Sequence, residues 1–271
     1  MMLSMKSSPL TLDEVRRRLV SDTADWHFFL FADVDSTNDS LRDLAARGAR
    51  EGTVVVAETQ RRGRGRLGRA WFSPPGLNIY ASVLFRPALV PDDMLTFSFI
   101  ASLALVEALE PLGVSAQIKW PNDVLVDGKK VAGTLVDCGM RGAAVDYVVL
   151  GIGLNVNVGT AALRDALGPA GGFATSLAEV LGHEVDRNAL LAAWLDAVAA
   201  WHLRWKREGP AALRKAWADR DILSGRRVEV RGDGQTFEGR VLGLAPTGAL
   251  VVVDTLGHAR QVTSEEVRLH D

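Results

Sequence analysis

Between Ala116 and Asn157 the chain runs through "AQIKW", "VLVDGKKVAGTLVD" and "VDYVVLGIGLNVN", strand-like segments separated by Asp-Gly and Gly turn signals. This run constrains the fold more than any other. Asp127-Gly128 is a two-residue hairpin signal, because the tight turn needs left-handed backbone that Asp and Gly tolerate. Strands joined this way are antiparallel. Upstream the texture differs, with strands alternating with helices. Trp26–Val34 reads as a strand, and "DSTNDSLRDLAARGA" as a helix capped by Ser36, Thr37 or Asn38. Leu41, Leu44 and Ala45 fall on one face of that helix, and Gly48 stops it. "GTVVVAETQ" and "LNIYASVLF" read as further strands. Hairpin groups mixed with strand–helix alternation predict an α+β chain, a mixed β-sheet with flanking helices.

More helices complete this unit. "TLDEVRRRLV" carries Thr11 as an N-cap, an acidic first turn and a basic last turn. Met94 to Leu109 is the most apolar run, but it is short for a membrane span, and Glu107 and Glu110 lie at its end, so it reads as a buried helix. Asn188 to Trp205 has helical spacing, with Trp194, Trp201 and Trp205 as core anchors, and Pro210 suits the first turn of the helix that follows. At Ser224-Gly225 the texture changes to short alternating segments with turns at Gly-Asp-Gly, Pro-Thr-Gly and Leu-Gly-His, which predicts a small SH3-like β-barrel. The expected division is a large α+β domain over 1–223 and a small C-terminal β domain over 224–271.

"GRGRLGRAW", Gly63 to Trp71, is the most unusual local stretch. With the preceding "QRR" it gathers Arg61, Arg62, Arg64, Arg66 and Arg69 in a chain of 271 residues whose formal net charge is −2. The charge is therefore local, which argues against a protein devoted to nucleic acid. On its own the stretch reads as a solvated hairpin, a nucleic-acid contact, or an anion-binding loop in which glycines turn backbone N–H groups toward a phosphate and guanidinium forks meet its oxygens. It lacks the Gly-Lys-Ser/Thr ending of a Walker A loop. Gly63, Gly65 and Gly68 fit G-x-G-x-x-G, but "RAWFSPPG" does not open a helix as a dinucleotide fingerprint requires.

Two other stretches carry unusual chemistry. "KWPNDVLVDGKKVAG" places Lys119, Asn122, Asp123 and Lys130 close together. Asn122-Asp123 reads either as an Asx turn or as a pair orienting a polar or magnesium-bound ligand. Lys119 or Lys130 would neutralise developing charge. "GIGLNVN" sets Asn155 and Asn157 on one face of a buried strand, or at a sheet edge. The single cysteine, Cys138, excludes an internal disulfide and a four-thiolate zinc site, and reads as a small buried hydrophobe rather than a nucleophile.

Taken in order and spacing, "DSTN", "GRGRLGRAW", "KWPNDV" with "KVAG", and "GIGLNVN" resemble biotin protein ligases, the enzymes that biotinylate carboxylases. The resemblance runs from about Ala32 to the C-terminal β domain. It implies the class II synthetase-like catalytic fold and a two-step reaction. Biotin and MgATP give biotinoyl-5′-adenylate and pyrophosphate, and a lysine of a biotin carboxyl carrier domain then takes the biotinoyl group and releases AMP. The carrier would belong to an acyl-CoA carboxylase or pyruvate carboxylase. No tightly bound prosthetic group is implied.

Residue by residue, the resemblance implies that Ser36, Thr37, Asn38, Gln60, Gly63, Arg64, Lys130 and Gly133 bind biotin, with the backbone at Arg64 assisting at the ureido ring. Arg64, Gly65, Arg66, Arg69, Trp71, Lys119, Asn122 and Asn155 would bind ATP or the adenylate, Trp71 by stacking near adenine or supporting the loop. Lys130, Arg66 and Asp123 are the expected catalytic residues. Asp123 would position the incoming lysine or a metal, or brace the loop. Neither Arg61 nor Arg62 is given a role, and no metal ligands are assigned. The loop is expected to be loose when empty and ordered over the adenylate.

Too little chain precedes "DSTN" for a winged helix-turn-helix, so a ligase without repressor function is expected. The remaining expectations are no nucleic-acid or membrane partner, a cytoplasmic location, and a monomer or homodimer. The enzyme alternative is a lipoate–protein ligase-like acyl-adenylating transferase. The nonenzymatic one is an RNA-binding protein, for which "EVRGDGQTFEG" supplies no basic or aromatic face.

Overall fold

The computed structural model describes residues 8–20, 24–232 and 235–270. The amino-terminal "MMLSMKS" and the centre of the expected Gly-Asp-Gly turn, Asp233 and Gly234, lie outside the described residues. A seven-stranded mixed sheet is built from β1 (His27–Phe31), β2 (Thr53–Ala57), β3 (Ile79–Phe85), β4 (Ala116–Lys119), β5 (Asp123–Val126), β6 (Lys129–Arg141) and β7 (Ala144–Leu154). Its order is β1-β2-β3-β7-β6-β5-β4. Only β1 and β2 run parallel, and the helix between them, α2 (Thr37–Ala46), supplies the crossover such a pair needs. The turn at Asp127-Gly128 joins β5 to β6 with φ of 50° and 73°, the left-handed geometry expected of it.

Strand alternation sorts side chains between two layers. On one face Val55, Leu84 and Val149 pack under Leu41 and Ala45 of α2. On the other, Val54, Val56, Val83 and Leu150 join the main core beneath α3 (Met94–Leu109), α6 (Arg187–Glu208) and α7 (Pro210–Ala218). The segment Pro91–Leu112 is long and apolar enough to cross a membrane by composition, but α3 is buried along most of its length between the sheet and α6 and α7. Trp194 and Trp201 are buried in this layer and Trp205 packs against it. Thr11 caps α1 (Leu12–Arg18) by accepting from Glu14 N, and Pro210 opens α7.

Cys138 departs from expectation. It is exposed near the far end of the long β6–β7 hairpin, where β6 has run past its pairing with β5. Partial burial and the neighbouring Asp137 push its thiol up, against thiolate formation. Asn155 and Asn157 also differ, since β7 stops at Leu154. Asn155 donates Nδ2 to the Thr175 carbonyl, whereas Asn157 binds both backbone groups of Val185. Two short helices not expected from periodicity follow, α4 (Thr160–Leu167) and α5 (Leu177–Leu181).

The C-terminal residues form a five-stranded antiparallel sheet from β8 (Arg227–Gly232), β9 (Gln235–Leu244), β10 (Leu250–Asp254), β11 (Ala259–Val262) and β12 (Glu266–Leu269). Its order is β11-β10-β9-β8-β12, with β11 and β12 at the edges. Buried Val228, Val230, Val241, Val252 and Val267 come from alternate positions of these strands. Trp120 stitches this sheet to the larger one by donating Nε1 to the Gly248 carbonyl at 3.1 Å.

Candidate active site

A cleft of about 1030 Å³ opens where β2, β5, β6 and β7 deliver their ends to one side of the large sheet, and the β12 strand forms part of its mouth. Ser36, Thr37, Asn38 and Gln60 line one end, and Arg66, Arg69, Lys119, Asn122, Asp123 and Lys130 line the other. Arg64, Gly65, Trp71, Gly133 and Asn155 also face it. Gly63 does not. It is buried behind the wall, where a side chain would meet Ser73 Oγ and the Trp71 carbonyl.

The Arg/Gly stretch is a small hairpin. Gly65 N donates to the Arg69 carbonyl at 2.7 Å, and Trp71 N donates to the Gly63 carbonyl at 2.8 Å. A 3-10 turn at Arg66–Gly68 closes it, with Leu67 itself left-handed at φ 56°. Its arginines part company. Arg61 and Arg62 turn away to Asp33 and Asp35, and those contacts hold the Asp35 carboxyl below the usual range. Arg64 Nη2 lies 2.7 Å from Asp39 and 2.8 Å from Asp137, so its charge is balanced in the pocket wall. Arg66 reaches the Ser264 carbonyl at 3.1 Å, and Arg69 meets Glu266 at 2.7 Å. The tip of the hairpin thus rests on the C-terminal sheet.

Burial without a full set of partners marks the cationic end. Desolvation pulls both Lys119 and Arg66 below their ordinary pKa, meaning that their charged forms would gain from an incoming anion. Lys130 Nζ is 2.6 Å from Asp123 Oδ1 and 5.2 Å from the centre of the Trp71 ring. That indole lies flat against β7 because Gly153 offers no side chain; a Cβ there would overlap it. Its Nε1 is buried without a hydrogen-bond partner. Asn122 Nδ2 bonds the Thr134 carbonyl at 2.6 Å and pins the entry of β5 to β6.

The uncharged end is a connected set of amide and hydroxyl groups. Gln60 Oε1 accepts the Thr37 N–H at 2.9 Å, and Gln60 Nε2 donates to Ser73 Oγ at 3.1 Å. Asn38 tucks beneath Gly151, where any side chain would displace it. Such a wall offers both donors and acceptors and suits a neutral polar ring.

Several cleft residues escape sequence reading. Phe173, 76% exposed, stands on the rim in a 3-10 turn held beside Lys130 by the bond from Thr175 N to the Lys130 carbonyl. Its one local signal is an aromatic after "GPAGG". Asp39, Ser82 and Asp137 carry no motif of their own and matter only through what they touch. Among the described residues no group of three or more His, Cys, Asp or Glu side chains is placed to hold a metal ion.

A mixed sheet whose one cleft has a polar and a cationic end suits a protein that brings a neutral polar group and an anion together, and similarity to known proteins supplies the class. The model of the biotin/lipoate A/B protein ligase family matches residues 30–155, and that of the biotin protein ligase C-terminal domain matches 223–264. The biotin–[acetyl-CoA-carboxylase] ligase of Paracoccus denitrificans is 36% identical over 236 residues, covering 86% of this chain and 96% of its own. The bifunctional ligase/repressor BirA of Bacillus subtilis (strain 168) is 30% identical over 268 residues, covering 98% and 81%. Among solved structures, the biotin protein ligase from Aquifex aeolicus in complex with biotin and ATP superposes with a TM-score of 0.77 at 28% identity, over 90% of this chain and 99% of that one. The chain belongs to the biotin protein ligase family. It is an enzyme.

Proposed function

We propose that the chain activates biotin with MgATP as biotinoyl-5′-adenylate and transfers the biotinoyl group to a lysine of a biotin carboxyl carrier domain of a carboxylase, as a cytoplasmic enzyme. One observation carries this reading: a single cleft joins a neutral donor–acceptor wall to a cluster of partly desolvated cations. The ureido ring belongs at Ser36, Thr37, Asn38 and Gln60, with the Arg64 backbone and Gly133 beside it. The triphosphate belongs among Arg66, Arg69 and Lys119, and adenosine between Trp71, Asn122, Asn155 and the Phe173 rim. Magnesium arrives as part of the nucleotide substrate. The residues of 1–223 build this cleft, and those of 224–271 complete its mouth.

In the first step a carboxylate oxygen of biotin attacks the α-phosphorus, and the bond to the pyrophosphate oxygen breaks. Two anions must meet for this to happen. Lys130 sits where it can offset both charges, and Asp123 fixes its ammonium. In the second step the carrier amine attacks the acyl carbon, AMP leaves with the C–O electron pair, and the amine loses a proton. The Arg66–Arg69 hairpin, which lines the cleft, would order over the adenylate and keep water from the anhydride.

Pyrophosphate release with MgATP tests the reading, using biotin or lipoate as the acid, with and without an apo carrier domain. Biotin-dependent release that continues only when carrier is supplied is expected. Release with lipoate alone would assign the chain to lipoate instead.

A further inference from the structure

Beneath the neutral end of the cleft the hydrogen bonds form one chain, and a carboxylate decides its direction. Asn38 Nδ2 donates to Asp137 Oδ2 at 2.9 Å and to the Leu135 carbonyl at 3.2 Å. Both partners only accept, so the amide cannot turn over, and Oδ1 is left facing Ser82. Ser82 is fully buried, and its Oγ lies 2.6 Å from that Oδ1. An amide oxygen has no proton to give, so the one Ser82 proton is committed to Asn38.

Ser82 Oγ also lies 2.8 Å from Thr37 Oγ1. With the Ser82 proton spent, Thr37 is the donor across that contact. The other outlet for the Thr37 proton, Gln60 Oε1, is longer at 3.3 Å and already accepts the Thr37 N–H at 2.9 Å, so Ser82 is what commits the hydroxyl. Thr37 therefore turns only lone pairs toward the cleft that it lines.

We propose that Asp137 is a positioning residue that, through Asn38 and Ser82, makes the Thr37 hydroxyl an obligate acceptor and so selects a ligand presenting a ring N–H. This rests on the biotin ligase reading and deepens it: the ureido N–H is the group selected. Arg64 at 2.8 Å balances the Asp137 charge without joining the relay. Gly151 is part of the device, because a side chain there would drive Asn38 Oδ1 off Ser82.

The test titrates the full chain with biotin and with its two cyclic carbamate isosteres, in each of which ring oxygen replaces one ureido N–H. The wild type is expected to discriminate against one isostere by about 10- to 100-fold, the cost of facing an acceptor with an acceptor. Asp137→Asn leaves only the longer bond to the Leu135 carbonyl to orient the Asn38 amide, so the amide turns more readily and that ratio should fall toward unity. Ser82→Ala cuts the relay and should do the same, and it carries the test alone if Asp137→Asn does not fold. In the Ser82→Ala background Asp137→Asn should change the ratio no further, a non-additivity that a merely structural or long-range charge effect would not give. Unchanged ratios in the single variants, or additive effects in the double, overturn the relay while leaving the biotin reading intact. A wild type that binds none of the three probes overturns both.

Discussion

Lys119 and Lys130 stand in one cleft and are held differently. Lys130 has a carboxylate at 2.6 Å, whereas burial disfavours the charged form of Lys119 and lowers its pKa. Only the ammonium form attracts a triphosphate. As pH rises, Lys119 loses its proton before a free lysine would, so affinity for ATP should fall at a pH below the ordinary lysine value of 10.5. The KM for ATP, followed from neutral pH to about 10, should rise at the alkaline end in the wild type. In Lys119→Arg it should stay flat, since a guanidinium does not titrate there. Parallel profiles would mean that Lys119 does not meet the nucleotide. Arg66, desolvated in the same way, keeps its charge throughout.

At the scale of the elements, the first residue of α6 ties down the strand that leads into the Arg/Gly hairpin. The Arg187 side chain is 0% exposed and donates Nη1 to Glu58 Oε2 at 2.6 Å and to the Asn78 carbonyl at 3.1 Å. Its Nη2 reaches the Ser8 carbonyl at 2.8 Å, and Glu58 Oε1 accepts from Leu10 N at 2.8 Å. One fork thus joins α6, the exit of β2, the entry of β3 and the amino-terminal segment. Arg187→Met should cost about 3–5 kcal/mol in urea unfolding, because it strands the Glu58 carboxylate. Adding Glu58→Gln to it should return part of that loss, since the stranded charge, not the lost pair, is the larger penalty. A single variant within about 0.5 kcal/mol of wild type would show the pair to be dispensable.

Across the whole molecule, the two sheets meet at the Arg/Gly hairpin. Arg69 pairs with Glu266, Arg66 bonds the Ser264 carbonyl, and Trp120 bonds the Gly248 carbonyl from the neighbouring "KWPND" stretch. The C-terminal sheet therefore holds the hairpin tip at the edge of the cleft that it lines. Glu266→Ala should loosen it. Limited trypsin digestion should then cut after Arg66 or Arg69 several-fold faster than in the wild type, and added biotin with MgATP should restore much of the protection. Equal cutting rates would show that the hairpin is held from within, by its own Gly65–Arg69 and Gly63–Trp71 bonds.

Local chemistry was legible in the sequence wherever short-range rules govern it. The Asp127-Gly128 turn, the Thr11 cap, the buried helix from Met94 and the antiparallel group from Ala116 follow from backbone preference and periodicity. The site residues come instead from the resemblance carried by the ordered motifs, and all of those assigned line one cleft except Gly63, which is set behind its wall. Periodicity has no purchase on α4, α5 and the Phe173 turn, which are short and held by contacts to distant strands. Nor does it see that Cys138 lies where β6 has outrun its neighbour β5. The five arginines look alike in the chain, and only the tertiary structure sorts them. Arg61 and Arg62 go to outward carboxylates, Arg64 goes into the wall, and Arg66 and Arg69 reach the second sheet. The physical reason is that a turn or cap is settled by neighbours a few residues away, whereas an ion pair or a hydrogen-bond direction is settled by whatever group the fold brings within about 3 Å.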